Sequence, residues 1–110
     1  MDLGLSGKVA LVTGGARDVG REIVLALANE GAAVAINYRG SEDAANTLVA
    51  EINVAGGTAR AYGADVTDYH ATKAMVGQVV ADLGRLDVLV NNAGYVTPQK
   101  FIETTPADWH

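Results

Sequence analysis

Cysteine is absent from the 110-residue chain, which excludes a disulfide and a thiolate metal site. The two histidines, His70 and His110, stand far apart in the sequence, so we expect no metal site. Basic residues are also few: 8 lysines and arginines face 13 aspartates and glutamates, and the net charge is -5. Because nucleic-acid-binding domains usually carry a basic patch, we expect no nucleic acid as a partner.

Long apolar runs are missing as well. No stretch approaches the ~20 residues of a membrane helix, and neither Asp2 nor the short apolar run after Lys8 suggests a signal peptide. We therefore expect no membrane partner and a cytoplasmic location. Apolar residues make up 49% of the chain and charged residues 19%, as in ordinary globular proteins, and the length suits one small domain.

What is present is a regular alternation of apolar and amphipathic segments. Apolar runs at residues 9–12, 33–37, 59–62 and 87–91 predict strands. The segments between them predict helices: one over residues 19–30, a second that Ser41 can cap, and a third that ends at Gly84. The alternation implies parallel crossovers, and therefore an α/β fold in which helices cover both faces of a three-layer, doubly wound parallel sheet.

The end of the chain predicts the start of another helix. Residues 104–108 combine a threonine at the N-cap, Pro106 at the first helical position and an acid in the first turn. Only Trp109 and His110 follow, and so short a helix is not stable by itself. The apolar fourth strand would also lie at a sheet edge. We therefore expect residues 1–110 to form a single domain, truncated after the fourth strand, in the N-terminal part of a longer chain.

The most informative segment is the glycine-rich octad of residues 13–20. It follows the first predicted strand and opens the first predicted helix. A turn of this kind can be purely structural, but in this position its backbone N–H groups and the positive end of the helix dipole converge on an anion. The octad therefore predicts a phosphate-binding loop.

The end of the second predicted strand indicates which nucleotide would bind. A dinucleotide fold that prefers NAD usually places an acid there, about 20 residues past the loop. This chain has Asn37, Tyr38 and Arg39 instead. A guanidinium suits a 2′-phosphate, and Arg17 in the loop is a second candidate for it. Both arginines could also be solvated surface charges, but their joint placement favours NADP(H) over NAD(H).

Two further segments agree with a nucleotide site. Asp65 and Val66 follow the third predicted strand, where an acid could accept a hydrogen bond from the adenine amine. The alternative is that Asp65 or Asp68 caps the third helix, and for Asp68 we prefer that interpretation. Asn91 and the three residues after it end the fourth strand; they could approach a ligand closely, or could simply form a turn.

Together these motifs resemble the classical short-chain dehydrogenase/reductase family, whose cofactor domain is Rossmann-type. The resemblance covers essentially the whole chain, in a style similar to 3-oxoacyl-(acyl-carrier-protein) reductases. It implies an NADP(H)-dependent reductase of a small carbonyl substrate, a 3-oxoacyl compound or another ketone, that forms a homo-oligomer. The implied cofactor-binding residues are Gly14, Gly15, Ala16, Arg17, Val19 and Gly20 at the pyrophosphate and adenosine, Tyr38 and Arg39 at the 2′-phosphate, Asp65 and Val66 at the adenine, and Asn92, Ala93 and Gly94 at the ribose and nicotinamide.

The chain departs from the family pattern in two respects. Asp18 stands where a glycine is usual, and we expect it to act as the N-cap of the first helix, with Arg17 offsetting its charge. The catalytic serine and Tyr-x-x-x-Lys motif that the resemblance implies would lie beyond His110. Tyr69 and Lys73 have that spacing but fall on the third predicted helix, so we assign no catalytic residue and expect residues 1–110 alone to be inactive.

The alternative hypothesis comes from a different class of function. The chain could be a stand-alone, non-catalytic nucleotide-binding or assembly module that buries its fourth strand against a partner.

Overall fold

The computed structural model describes residues 4–92. The predicted order of elements is confirmed, with boundaries that differ by one or two residues. The elements are β1 Val9–Thr13, α1 Asp18–Asn29, β2 Ala33–Tyr38, α2 Glu42–Val54, β3 Ala59–Gly63, α3 Tyr69–Leu83 and β4 Val88–Asn91.

The strands form one parallel sheet in the order β3-β2-β1-β4. Leu11 on β1 is in register with Ala35 on β2 and with Leu89 on β4. The chain therefore moves outward from β1 through β2 to β3 and then returns to the other side of β1. This is the predicted doubly wound topology, and it brings the carboxyl ends of all four strands to one edge of the sheet.

Two cores cover the two faces of the sheet, which confirms the predicted three layers. On one face, Val12, Val34 and Ile36 belong to a cluster with Val24 of α1 and with Leu48 and Ile52 of α2. On the other face, Leu11 and Ala35 pack with a cluster from α3 that comprises Met75, Val76 and Val79. Successive β1 residues thus enter opposite cores, which explains why all five are buried and why its sequence is continuously apolar.

The helix ends confirm one predicted cap and correct another. The Asp68 carboxylate accepts a hydrogen bond from the Ala71 N–H at 3.1 Å, as expected of an N-cap. The prediction that Ser41 caps α2 is wrong, because its side chain makes no capping hydrogen bond. The backbone explains the difference: Asp68 is extended, at φ -94° and ψ 112°, whereas Ser41 has φ -113° and ψ 49°, outside the extended region typical of an N-cap.

Within residues 4–92, β4 is an edge strand, as predicted. Val88, Leu89 and Val90 are only half-buried, whereas every residue of the adjacent strand β1 is buried. The predicted helix start at residues 104–108 lies outside the described residues. Across the described part of the chain, no helix has the length and apolar character needed to cross a membrane.

Asp87 ties the start of β4 to the start of β1. Its carboxylate accepts a hydrogen bond from the Val9 N–H at 2.9 Å and pairs with the Arg85 guanidinium at 2.8 Å. The hydrogen bond from Arg85, followed by that from the Val9 amide, lowers the pKa of Asp87 below its ordinary value. The ionised carboxylate is therefore the form that joins these two strands.

We predict that Asp87→Asn lowers the free energy of unfolding at neutral pH and flattens its dependence on pH. Because the folded-state pKa is lowered, the contribution of Asp87 is present above the unfolded-state pKa and is lost as pH falls through the folded-state value. Urea unfolding at a series of pH values from 7 to 3 measures this. The two proteins should converge in stability at the acid end; curves that stay parallel would contradict the assignment.

Candidate functional site

The glycine loop lies at the carboxyl edge of the sheet, between β1 and α1. Gly14 has a φ of +62°, a left-handed backbone conformation that favours glycine. A Cβ on Gly20, in the first turn of α1, would overlap the Gly14 carbonyl oxygen and would come within 2.7 Å of the Asn92 amide nitrogen. The first turn of α1 thus rests directly on the loop, and only glycine at position 20 allows this approach.

Thr13 and Asn92 close the loop against β4. The buried Thr13 hydroxyl oxygen accepts a hydrogen bond from the Asn92 N–H at 3.0 Å and lies 3.1 Å from Asn91 Oδ1. The Asn92 side-chain amide donates to the Gly14 carbonyl at 3.1 Å. The structure therefore brings together Gly14, Gly20 and Asn92, three predicted site residues from opposite ends of the described sequence.

Asn37 holds the other side of the loop, a role that its sequence position did not predict. Its Oδ1 accepts a hydrogen bond from the Gly14 N–H at 3.1 Å, and its Nδ2 donates to the Ala64 carbonyl at 3.1 Å. The side chain is only 2% exposed. The residue at the end of β2 therefore points inward, where it joins the loop to the end of β3. A lone polar residue at the end of an otherwise apolar strand was the available signal.

Tyr38, Arg39 and Asp65 lie beyond Asn37; Arg39 is exposed, whereas Tyr38 and Asp65 are half-buried. The Arg39 guanidinium lies 3.4 Å from an Asp65 carboxylate oxygen, and its side chain is 74% exposed. The Tyr38 hydroxyl donates to Glu42 at 2.9 Å, and this hydrogen bond raises the pKa of Tyr38. The predicted 2′-phosphate and adenine residues are thus neighbours, and the Arg39 cation already has an anionic partner.

Asp65 also organises the turn that follows β3. Its Oδ1 accepts hydrogen bonds from the Thr67 N–H at 2.9 Å and from the Thr67 hydroxyl at 2.6 Å. Asp65 does not cap α3, since Asp68 fills that position. The adjacent Val66 is 7% exposed and packs into the core under α3, so it offers backbone rather than side chain to a ligand.

The remaining loop residues divide into buried and exposed groups. Ala16 is buried, and a Cβ on Gly15 would lie 2.9 Å from Val24 in the core. Arg17 is exposed, and Val19 is 65% exposed, at the surface where α1 begins. Arg17 also lines a cavity of about 360 Å³ with Gly40, Ser41, Glu42, Asp43 and Ala44 at the start of α2. Arg17 therefore faces the segment that directly follows Arg39 in the chain.

The prediction that Asp18 caps α1 is wrong. The N-cap position belongs to Arg17, and no side chain caps this helix. Asp18 is instead the first helical residue, with a φ of +55°. A residue in that conformation cannot turn its carboxylate back onto the amides of the next turn as an extended N-cap does.

Four more residues named in the sequence analysis lie far from the end of β4 or outside the described part. Ala93 and Gly94 lie outside the described residues. Tyr69 and Lys73 lie in the first turns of α3, which follows β3. Because β2 and β1 separate β3 from β4, the two strand ends are roughly 14 Å apart. Among residues 4–92, no three histidine, aspartate or glutamate side chains are grouped to hold a metal ion.

Comparisons with known proteins identify the family of the chain. Residues 8–110 match the family described as short chain dehydrogenase. The chain belongs to this family. It is therefore related to oxidoreductases, and its resemblance to the family, noted from the motifs, is confirmed.

Individual relatives cover nearly the whole chain. It is 45% identical over 102 residues to the 3-oxoacyl-[acyl-carrier-protein] reductase FabG of Staphylococcus aureus (strain N315), which is 93% of this chain and 42% of that reductase. A short-chain dehydrogenase from Burkholderia cenocepacia J2315 in complex with NADP superposes with a TM-score of 0.76 at 39% identity, over 87% of this chain and 42% of that one. A blue fluorescent protein from a metagenomic library, in complex with NADPH, gives a TM-score of 0.78 at 41% identity, over 88% and 43%. The chain thus spans less than half the length of these relatives.

We predict that Gly20→Ala lowers the free energy of unfolding by about 1–3 kcal/mol, because the added methyl group has no space beside the Gly14 carbonyl. The matched control is Gly77→Ala in α3, where an added Cβ meets no atom within 4 Å. That substitution should stabilise the protein by about 0.5–1 kcal/mol through helix propensity. Denaturant unfolding compares the two; equal effects would show that position 20 has no special packing.

We further predict that Asn37→Asp lowers the free energy of unfolding by about 1–3 kcal/mol, because an aspartate cannot donate to the carbonyls at the end of β3. The control is Asn46→Asp on the exposed surface of α2. Chemical denaturation measures both. A variant at position 37 as stable as wild type would mean that the side-chain amide does not join the loop to β3.

Proposed function

We propose that the protein is an NADP(H)-dependent short-chain oxidoreductase that reduces a carbonyl group to an alcohol by hydride transfer, and that residues 1–110 supply its cofactor-binding part. The observation that carries the proposal is the convergence of the glycine loop, two arginines and the ends of four parallel strands at one edge of the sheet. In open parallel α/β sheets, ligands bind at this edge, where the strand order reverses. Here the reversal lies between β1 and β4.

The glycine loop suits the pyrophosphate of such a cofactor. No side chain projects from Gly14 or Gly20, and the Gly14 carbonyl is already satisfied by Asn92. The first turn of α1 leaves backbone N–H groups directed toward the loop, and the helix dipole favours an anion beside them. Gly15 and Ala16 complete the loop. Arg17 and Val19 flank its outer surface, and we propose that all six predicted loop residues adjoin the pyrophosphate or adenosine.

The choice between the two nicotinamide cofactors depends on the end of β2. Asn37, the first of the three residues that stand where an acid would hold a ribose 2′-hydroxyl, is turned inward to the loop. The groups that remain are the half-buried Tyr38 and the exposed Arg39, and Arg17 lines the cavity at the start of α2. A guanidinium binds phosphate oxygens in a bidentate fashion. We propose that Arg39 binds the 2′-phosphate and that Tyr38 lies against the adenosine.

The ends of β3 and β4 would hold the two ends of the cofactor, the adenine and the reactive nicotinamide. We propose that Asp65 and Val66 adjoin the adenine, and that Asn92, Ala93 and Gly94 adjoin the ribose and nicotinamide. The cofactor would supply the hydride when bound, and the task of these residues is to hold it in place. No proton donor for the carbonyl oxygen is assigned within residues 4–92.

The substrate and cellular setting are part of the same proposal. A 3-oxoacyl compound, or another ketone, is favoured because the Staphylococcus aureus relative is named for 3-oxoacyl-[acyl-carrier-protein]. The Burkholderia cenocepacia and metagenomic relatives hold NADP and NADPH, which supports that cofactor. A homo-oligomer in the cytoplasm is proposed from the family resemblance.

We predict that the protein binds NADPH more tightly than NADH and that Arg39→Ala removes this preference. A lost charge-assisted contact should weaken NADPH about tenfold and leave NADH nearly unchanged. The matched control is Arg60→Ala. Arg60, on β3, is also exposed, and its guanidinium lies 3.8 Å from the carboxylate of Asp82 on α3. Titration followed by nicotinamide fluorescence measures all six affinities.

The control separates a specific contact from loss of general positive charge. Arg60→Ala should leave the NADPH preference intact. Equal affinity for NADPH and NADH in the wild-type protein would overturn the 2′-phosphate assignment, and failure to bind either cofactor would overturn the proposed function.

A further inference from the structure

Asp18 has an unusual backbone for its residue type. Its φ of +55° makes it the one non-glycine residue with a positive φ among residues 4–92. Aspartate tolerates this left-handed region better than most residues, but glycine adopts it without steric cost. The backbone at the start of α1 is therefore one that glycine would satisfy, and here a carboxylate is attached to it.

The Asp18 carboxylate has no structural role within the described part of the chain. The residue is exposed, its carboxylate makes no hydrogen bond or ion pair with another residue of 4–92, and it does not cap the helix. The neighbouring Arg17 does not pair with it there either. A negative charge that is neither bonded nor buried contributes mainly through its electric field.

That field acts at the position proposed for the pyrophosphate. Asp18 is the only acid in the first turn of α1, two residues before Gly20. A carboxylate in a first turn interacts favourably with the helix dipole, and a bound phosphate uses the same dipole. The side chain therefore offsets part of the attraction that this helix would exert on an anion.

We propose that Asp18 is an affinity-setting residue that weakens binding of the cofactor pyrophosphate by charge repulsion. The inference rests on the proposed function, since it concerns the same loop. Because NADPH and NADH share the pyrophosphate, Asp18 lowers the affinity for both by the same factor. It differs in this from Arg39, which discriminates between them.

The test compares Asp18→Asn with wild-type protein in titrations of NADPH and of NADH. Asparagine has the same shape and also tolerates the left-handed region, so the exchange removes the charge alone. Both cofactors should bind about tenfold more tightly, the size expected of one unit charge acting at a surface permittivity. The gain should shrink as salt is raised to about 0.5 M, because the Debye length then falls to a few ångströms.

Two further variants separate the effect of the Asp18 charge from the effects of net charge and of backbone strain. Glu22→Gln removes the same charge from an exposed position one turn further along α1, and it should change affinity much less. Asp18→Gly removes the charge together with the strained backbone, so it should bind both cofactors at least as tightly as Asp18→Asn and should unfold at a higher temperature than wild type. It also serves as the test if Asp18→Asn folds poorly.

Each outcome bears on a different claim. Unchanged affinities in Asp18→Asn and Asp18→Gly, in a protein whose wild type binds NADPH, would overturn the role of Asp18 and leave the proposed function standing. An equal gain from Glu22→Gln would also overturn it, by showing an effect of net charge. If no variant and no wild type binds either cofactor, the proposed function fails and this inference fails with it.

Discussion

The contact between the first turn of α1 and the Gly14 carbonyl is the constraint on which the rest of the site depends. Gly20 allows the helix to approach within a distance that no other residue permits. The same carbonyl accepts the Asn92 amide at 3.1 Å, so the end of β4 is held at the same point. Because β1, α1 and β4 meet there, the geometry of the loop is determined by packing rather than by a flexible turn.

Asn37 extends this constraint across the sheet. Its side chain links the Gly14 amide to the carbonyls at the end of β3, and it is almost completely buried. A buried amide with all its hydrogen bonds made is costly to disturb, because any replacement leaves several groups unsatisfied. Thr13 and Asn37 thus hold the loop by hydrogen bonds on its two sides, and these bonds connect the ends of the four strands.

The carboxyl edge of the sheet carries charges of both signs, which have opposite effects on an anionic ligand. Arg17 and Arg39 favour an anionic ligand, whereas Asp18 and the acids of the first turn of α2 disfavour it. In the described structure Arg39 is already paired with Asp65 at 3.4 Å, so a phosphate would have to compete for it. The pair is exposed and therefore weak, which makes such an exchange inexpensive. The electrostatic character of this edge is therefore a balance of individual surface charges.

The sequence by itself determined the order and type of the elements and the parallel topology, and it predicted most members of the candidate site. These follow from local patterns: continuous apolar strands, amphipathic helices, and glycines at the turn between β1 and α1. The tertiary structure decided what depends on residues distant in the chain. Asn37 turns inward to the Gly14 amide and the Ala64 carbonyl, Arg39 at the end of β2 pairs with Asp65 after the adjacent β3, and Asp18 has a positive φ. The spacing of residues along a chain does not predict the distances between their side chains in the fold. The propensity of a residue to cap a helix does not predict its backbone angles in the folded protein.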